Sequence, residues 1–291
     1  MLKTTPLSAT FGVEVHDVQL ASLTDETFSH VRDAFETHSA LLFRNQDIDD
    51  AAHMRLAEMF GPIEDRKADE RAPGQAFEVP EVSNILEDGS TADGMDLHTL
   101  NLKANMLWHA DSTFLPVPAL ANILIGRVVT EKDGETQLAS TRAAWADMPE
   151  TMRQKIRGKG IWHRYAHSRA KISEELSKLP MFHKWPDQHW KSVWTNPVNG
   201  QEALYIASHA FKIDGFDQGS SATLIDDLTS FVTQSAYVYS HKWKVDDVLI
   251  WDQRAVLHRA TPWDYTLPRK LSSICVSSTP SDGVDAMRLS V

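Results

Sequence analysis

Two histidines and one aspartate in this 291-residue sequence have the types and spacing that a transition metal requires. His109 and Asp111 are separated by one residue, and alternate residues of an extended chain point to the same side. His258 follows a predicted strand, 248–251, closely enough to complete a set of two imidazoles and one carboxylate. Such a set binds iron(II) on one face and leaves adjacent coordination positions open. The pattern predicts an iron(II) oxygenase site.

The same three residues are compatible with other chemistry when they are considered alone. The sequence contains 13 histidines and 40 acidic residues, so a His-x-Asp pair arises easily by chance. Zinc hydrolases also use three protein ligands and keep an open position. A non-catalytic jelly-roll binding module could retain the three side chains without turnover. The choice depends on the elements around the triad and on further motifs.

The N-terminal part of the chain alternates helical and strand patterns. Apolar residues recur at helical spacing after Thr24-Asp25, which predicts a capped helix over about 25–38. The apolar run 40–43 predicts a strand. A second helix is predicted from Asp49-Asp50 to about Gly61-Pro62.

Short apolar or β-branched runs separated by turn formers dominate the rest of the chain. We predict strands at 105–108, 121–129, 136–139, 160–163, 203–208, 237–241, 248–251 and 271–277. Helices are predicted at 149–157 and 221–234. Many short strands with few helices indicate a mainly β fold with flanking helices, either a sandwich or a jelly roll.

Two segments lack a regular pattern. Residues 66–104 are polar and rich in Gly, Asp and Glu, and long stretches of this kind often form lids over active sites. We predict a lid there. Residues 170–195 carry three tryptophans among prolines and histidines, which favours an irregular insertion whose tryptophans fill a core or an interface.

Composition limits the class of protein. A chain of this length with 42% hydrophobic residues can bury one large core, so we expect a single domain over 1–291. A formal charge of −11 argues against nucleic-acid binding, and basic groupings such as Arg66-Lys67 fit a solvated helix face. The single cysteine, Cys275, and the absence of an apolar leader or membrane-spanning run predict a cytoplasmic protein without a membrane partner.

Motifs along nearly the whole chain resemble the taurine dioxygenase (TauD/TfdA) family of iron(II)- and 2-oxoglutarate-dependent dioxygenases. The resemblance is carried by these segments: Ala40 to Gln46, Phe60-Gly61-Pro62, Trp108-His109-Ala110-Asp111-Ser112-Thr113-Phe114 and Trp251-Asp252-Gln253-Arg254. It implies a double-stranded β-helix, or jelly-roll, core. It also implies that His109, Asp111 and His258 hold iron(II), with 2-oxoglutarate and dioxygen as co-substrates and succinate and carbon dioxide as products.

The resemblance implies further binding residues. Thr136 and Arg269 match the family's threonine and arginine that hold a carboxylate of 2-oxoglutarate, and a guanidinium fork pairs well with a carboxylate. The chain departs from the family at two positions. Ser273 stands where several members carry a second, anion-binding arginine, and Gln253 replaces the usual asparagine, which is expected to alter a supporting hydrogen bond and leave the triad intact.

The segments 141–145, 167–169 and 204–210 resemble the branch that oxidises 2,4-dichlorophenoxyacetate and other aryloxyalkanoates. This makes hydroxylation of an aryloxyalkanoate with ether cleavage an expected activity; a sulfonate, an amino acid and a neutral natural product stay open as substrates. The candidate substrate contacts are Asn105, which resembles a substrate-facing asparagine, and His209, Arg169 and Lys103. Relatives often form dimers or tetramers, so a homo-oligomer is expected.

Overall fold

Two β-sheets face each other across a layer of apolar side chains in the computed structural model, which describes residues 2–92 and 97–289. The larger sheet contains, in spatial order, β1 (Lys3–Pro6), β2 (Val13–His16), β3 (Ala40–Phe43), β13 (Val248–Asp252), β5 (Ala119–Val128), β15 (Lys270–Ser277) and β4 (Glu81–Ser83). The smaller sheet contains β12 (Val238–His241), β6 (Thr136–Ser140) and β14 (Val256–Ala260). Mainly antiparallel sheets with flanking helices form the predicted jelly-roll core.

Strand β13 shows why the larger sheet is apolar on both faces. Alternate side chains of a strand point to opposite faces. Leu249 and Trp251 contribute to the layer between the two sheets, together with Val256 of the smaller sheet. Val248 and Ile250 pack on the other face, under the two N-terminal helices. Burial on both faces therefore requires a continuous apolar run in this strand.

The two N-terminal helices begin and end where the sequence predicts. Helix α1 (Asp25–His38) is capped by Thr24, whose hydroxyl accepts from the Thr27 N–H. Helix α2 (Asp50–Phe60) is capped in the same way by Asp49. The other helices are α3 (Leu97–Ala104), α4 (Thr141–Asp147), α5 (Glu150–Ile156), α6 (Tyr165–Ala170), α7 (Glu174–Ser177), α8 (Gln218–Val232) and α9 (Val284–Met287). Among the described residues, no helix combines the length and apolarity that crossing a bilayer requires.

The expectation of an irregular segment over 170–195 is wrong for its second half. Residues 188–195 form β8 (Gln188–Lys191) and β9 (Val193–Thr195); β8 joins a small sheet with β7 (Gly160–His163) and β11 (Ala210–Ile213), and β9 pairs with β10 (Glu202–Leu204). Trp190 and Trp194 are buried on these strands, as core fillers. The partner of β8 lies well before it in the chain, whereas β9 forms a short hairpin with β10. The mixed composition of this segment, with its prolines and histidines, hid both strands.

The segment 66–104 is more ordered than its composition suggests. It contains β4 and α3, while residues 66–80 have neither helix nor strand and residues 93–96 lie outside the described part. Arg66-Lys67 therefore belongs to a turn, and the predicted helix face is wrong. The strand predicted at 105–108 is also wrong. After α3 the chain turns, with the Asn105 N–H donating to the Leu102 carbonyl oxygen at 3.1 Å. The turn places Asn105 and His109 beside β14, to which both form backbone hydrogen bonds.

Candidate active site

A short antiparallel bridge brings the two candidate histidines together. The His109 N–H donates to the His258 carbonyl oxygen at 3.0 Å, and the His258 N–H donates to the His109 carbonyl oxygen at 2.8 Å. His258 lies on β14 two residues after Val256, so both side chains point between the two sheets. The imidazole ring centroids are 4.1 Å apart, and Trp251 packs against His258 at 4.6 Å. Backbone pairing and ring packing hold the two imidazoles at one place.

Asp111 completes the group. Its Oδ1 lies 3.6 Å from Nε2 of His109, and its Oδ2 lies 3.6 Å from Nε2 of His258. One ligand atom from each of the three residues falls within 4.8 Å of the others. Neighbouring ligands about 2.1 Å from a common metal stand about 3 Å apart, so small adjustments place all three donors on one ion. The donor set and its spacing fit a facially bound transition metal.

The orientation and protonation of the two imidazoles suit metal binding. Nδ1 of His109 donates to the Leu107 carbonyl oxygen at 2.7 Å, which leaves the Nε2 lone pair directed at Asp111. Burial lowers the pKa of His109, and burial together with the neighbouring His109 ring lowers the pKa of His258 to about 3. Both rings are therefore neutral at pH 7, the form in which histidine donates to a metal.

Polar residues of three strand regions hold the Asp111 carboxylate. Gln253 forms a two-point contact: its Oε1 accepts from the Asp111 N–H at 2.9 Å, and its Nε2 donates to Oδ2 at 2.6 Å. Asn122 of β5 donates to the same oxygen at 2.9 Å, and Ser273 of β15 donates to Oδ1 of Asn122 at 3.1 Å. Burial by itself would raise the pKa of Asp111, but the nearby His258, His109 and Arg66 and the hydrogen bond from Asn122 lower it below its usual range. The carboxylate is held ionised.

The loop that carries Asp111 is also fixed from behind. Trp190 donates from Nε1 to the Thr113 carbonyl oxygen at 2.7 Å, and Nδ1 of His163 lies 3.0 Å from the Thr113 hydroxyl. Both partners are buried. Trp190 of the tryptophan-rich segment therefore supports the loop that carries Asp111, a role that the composition of the segment did not indicate.

Thr136 and Arg269 line the same cavity as the triad, as the family resemblance implies. Arg269 is 2% exposed, donates from Nη2 to the Gly134 carbonyl oxygen at 2.8 Å and lies 4.8 Å over the Trp263 ring. Among the described residues it forms no ion pair with a carboxylate, and burial lowers its pKa to about 10. A buried guanidinium that stays charged at pH 7 without a protein counter-ion is a strong site for an anionic ligand.

Gly134 makes room for that guanidinium. Its φ is +71°, and a Cβ atom there would lie 3.1 Å from Nε of Arg269. The turn at Asp133-Gly134, which the sequence predicts, therefore shapes the arginine pocket besides connecting β5 to β6.

The candidate substrate contacts lie in different places. Asn105 lines the cavity, whose volume is about 980 Å³, and its carbonyl oxygen accepts from the Ala260 N–H at 2.8 Å. His209 is buried with its ring centroid 6.5 Å from that of His109, and Arg169 lies 4.8 Å over the Tyr165 ring. Lys103 is in the last turn of α3. Among the described residues that line the cavity, only Asn105 comes from this group.

Arg66 is a cavity residue that the sequence analysis missed. Its guanidinium lies 5.4 Å over the Phe114 ring, and its Nη2 donates to the hydroxyl of Ser112, the neighbour of Asp111, at 2.9 Å. Nε donates to Glu64, while Nη1 makes no hydrogen bond to any described residue. The side chain is 33% exposed, towards the cavity that it lines. No periodic pattern marks a residue in such a turn, so the sequence carried no signal for it.

Comparisons with known proteins agree with this site. The family model "Taurine catabolism dioxygenase TauD, TfdA family" matches residues 3–275. The chain belongs to this family. It is 31% identical over 285 residues to a protein of Sphingobium herbicidovorans named (S)-phenoxypropionate/alpha-ketoglutarate-dioxygenase, covering 95% of each chain. It is 30% identical over 244 residues to an alpha-ketoglutarate-dependent 2,4-dichlorophenoxyacetate dioxygenase of a Burkholderia species, covering 83% of this chain and 82% of that one.

A solved structure extends the comparison to three dimensions. The structure described as AAD-2 in complex with Mn(II) and N-oxalylglycine matches with a TM-score of 0.87 and 30% sequence identity, over 96% of this chain and 98% of that one. Family, relatives and fold together identify the chain as an iron(II)- and 2-oxoglutarate-dependent dioxygenase, with dioxygen as the second co-substrate. The resemblance found in the sequence and the predicted fold are confirmed.

Proposed function

We propose that His109, Asp111 and His258 bind iron(II), and that Thr136 and Arg269 hold the far carboxylate of 2-oxoglutarate. The spacing of the three donor atoms supports the first assignment. The buried guanidinium of Arg269 and the Thr136 hydroxyl in the same cavity support the second. Bound by these residues, iron(II) and 2-oxoglutarate would supply the dioxygen chemistry that oxidises a substrate C–H bond and yields succinate and carbon dioxide.

The residues of the chain position this chemistry. Gln253 and Asn122 hold the Asp111 carboxylate in place, and the Leu107 carbonyl orients His109. Arg269 binds a carboxylate at low cost because its own desolvation has already occurred in the folded protein. The interior position between two sheets limits water around the reacting groups, which strengthens each of these electrostatic contacts.

We propose an aryloxyalkanoate as substrate, hydroxylated at the carbon that bears the ether oxygen. The names of both relatives above support this class. The cavity also offers apolar wall for an aryl ring, including Phe77, Leu124 and Leu271. Hydroxylation at that carbon gives a hemiacetal, which breaks its C–O bond to release a phenol and a carbonyl compound. The ether oxygen takes up the hydroxyl proton.

The position of the Arg66 guanidinium in the cavity is the observation that supports the substrate proposal most directly. Ser273 cannot hold an anion as an arginine would, and its hydroxyl is used by Asn122. Arg66 supplies a cation in the same cavity, oriented by Ser112 and Phe114 and with Nη1 free of described partners. A carboxylate of the substrate could pair with that edge of the guanidinium. The substrate anion would then be bound by the turn after α2, and not by β15, where Ser273 replaces the second arginine of other family members.

The test compares Arg66→Met with Lys67→Met, because both cations line the cavity and only Arg66 is held in place. A hydrogen-bonded charge contributes about 1.5–3 kcal/mol, so Arg66→Met should raise KM for a phenoxypropionate or phenoxyacetate by about 10- to 100-fold. The affinity for 2-oxoglutarate should stay unchanged, and Lys67→Met should have a small effect. Equal effects of both variants, or faster succinate release with sulfonates, sulfate esters or amino acids than with aryloxyalkanoates, would contradict the proposal.

Three expectations from the sequence remain predictions of their own. We propose a single domain, a homo-oligomer and a cytoplasmic location, the last supported by the lone cysteine. One cooperative melting transition, a mass above 32.7 kDa by light scattering and recovery in the cytosolic fraction are the expected results.

A further inference from the structure

The hydroxyl of Thr136 has a hydrogen-bond partner within the protein. Trp243 donates from its indole Nε1 to Oγ1 of Thr136 at 3.0 Å, and both residues are buried. Trp243 is not among the described residues that line the cavity, whereas Thr136 is. The indole therefore reaches Thr136 without forming part of the cavity wall.

An indole N–H can only donate, and this fixes the role of the hydroxyl. Oγ1 of Thr136 must accept from Trp243, so the proton of the hydroxyl is directed to another acceptor. The main-chain groups of Thr136 take part in the β6 pairing with β12 and β14. Among the described residues the hydroxyl has no hydrogen-bond partner besides Trp243, so its proton is available for an acceptor in the cavity, such as a carboxylate oxygen.

The structure holds the Trp243 ring in place from several sides. A Cβ atom on Gly126 would lie 3.0 Å from Cε3 of Trp243, so the glycine of β5 provides the space for the ring. The His241 ring lies against the indole at 4.5 Å and 87°, and Nε2 of His241 is 3.2 Å from the Asp247 carboxylate. Leu138 belongs to the same apolar cluster. Such packing fixes the direction of the N–H.

We propose that Trp243 is a positioning residue that makes the Thr136 hydroxyl an obligate donor and thereby selects a co-substrate with a carboxylate at its far end. This inference rests on the proposed 2-oxoglutarate pocket at Thr136 and Arg269. Trp243 does not line the cavity and acts only through its hydrogen bond to Thr136.

The experiment measures binding of 2-oxoglutarate to manganese(II)-loaded protein by calorimetry without dioxygen. Trp243→Phe keeps an aromatic ring and removes the N–H, and should weaken binding about 3- to 10-fold, the range expected for one hydrogen bond. Thr136→Val should weaken binding at least as much. The double variant should be no weaker than Thr136→Val alone, because the two residues share one interaction.

Trp194→Phe is the matched control. Trp194 is also buried and also donates from its indole, to the Asp282 carbonyl oxygen at 3.2 Å, but it does not line the cavity. It should lower the melting temperature without changing the dissociation constant for 2-oxoglutarate. A second probe, 2-oxopentanoate, lacks the far carboxylate, so its binding should be the same in the parent protein and in Trp243→Phe.

The outcomes distinguish failure of the inference about Trp243 from failure of the proposed 2-oxoglutarate pocket on which it rests. If Thr136→Val weakens binding and Trp243→Phe does not, the inference is wrong and the pocket stands. If the two effects add in the double variant, or Trp243→Phe weakens 2-oxopentanoate equally, Trp243 has only a packing role and the inference is again wrong. If neither Thr136→Val nor Arg269→Met changes 2-oxoglutarate binding, the pocket assignment fails and the inference fails with it.

Discussion

The contact between Gln253 and Asp111 allows a quantitative test of how the metal site is built. Gln253→Met keeps the length of the side chain and removes both hydrogen bonds, at 2.9 and 2.6 Å. A hydrogen bond to a charged group contributes about 1.5–3 kcal/mol, and loss of an outer partner of a metal ligand typically costs 10- to 100-fold in affinity. We expect the dissociation constant for iron(II) to rise by about 10- to 100-fold, with the three ligands unchanged.

The assay is anaerobic titration of metal-free protein with iron(II), or with manganese(II) followed by electron paramagnetic resonance. Gln46→Met serves as the control because Gln46 is also buried, accepts from the Leu20 N–H at 2.8 Å and donates to the Val18 carbonyl oxygen at 3.0 Å. It should destabilise the fold and leave metal affinity unchanged. Parent-like metal affinity in folded Gln253→Met would refute the claim that this contact orients the carboxylate.

Three further predictions concern the ligands, the co-substrate and stability. His109→Ala and Asp111→Ala should abolish iron binding and turnover, measured by titration and succinate release; full activity in either would overturn the assignment. Arg269→Ala should raise KM for 2-oxoglutarate at least about tenfold while iron affinity holds, and an unchanged KM would contradict its role. Burial lowers the pKa of His53 from 6.5 to about 4. Between pH 6.5 and 4 the unfolded chain therefore binds a proton at this histidine that the folded chain does not. The contribution of His53 to the free energy of unfolding is complete above pH 6.5 and falls by about 3 kcal/mol towards pH 4. His53→Gln should flatten that fall in denaturant unfolding, whereas the exposed control His30→Gln should not.

Local signals predicted the elements that depend on local chemistry. Helix α1 and strand β3 have the predicted bounds, because a capping threonine and a short apolar run specify them directly. The grouping of His109, Asp111 and His258 was proposed from their spacing and from the family motifs, and the structure brings their ligand atoms within 4.8 Å of one another. Their binding of iron(II) stays a proposal. Thr136 and Arg269 required the resemblance to the family, because nothing in their spacing alone indicates a shared cavity.

Long-range contacts account for most of what the sequence analysis missed. Strand β8 forms by pairing with β7, which lies well before it in the chain, and the composition of β8 resembles an irregular loop. Arg66 enters the cavity because a turn after α2 directs it there, and Trp243 reaches Thr136 because β12 pairs with β6. The two-point contact of Gln253 depends on the relative placement of residues 142 positions apart. The local residue pattern specifies none of these contacts.

The most direct test of the central claim is anaerobic titration of the metal-free protein with iron(II) and then 2-oxoglutarate, monitored by visible absorption. A weak charge-transfer band that needs both additions, together with succinate release when an aryloxyalkanoate and dioxygen follow, is the predicted result. Zinc should inhibit and iron(II) should restore activity after chelation. Absence of the band in folded, iron-loaded protein, or activity that zinc supports without 2-oxoglutarate, would contradict the account.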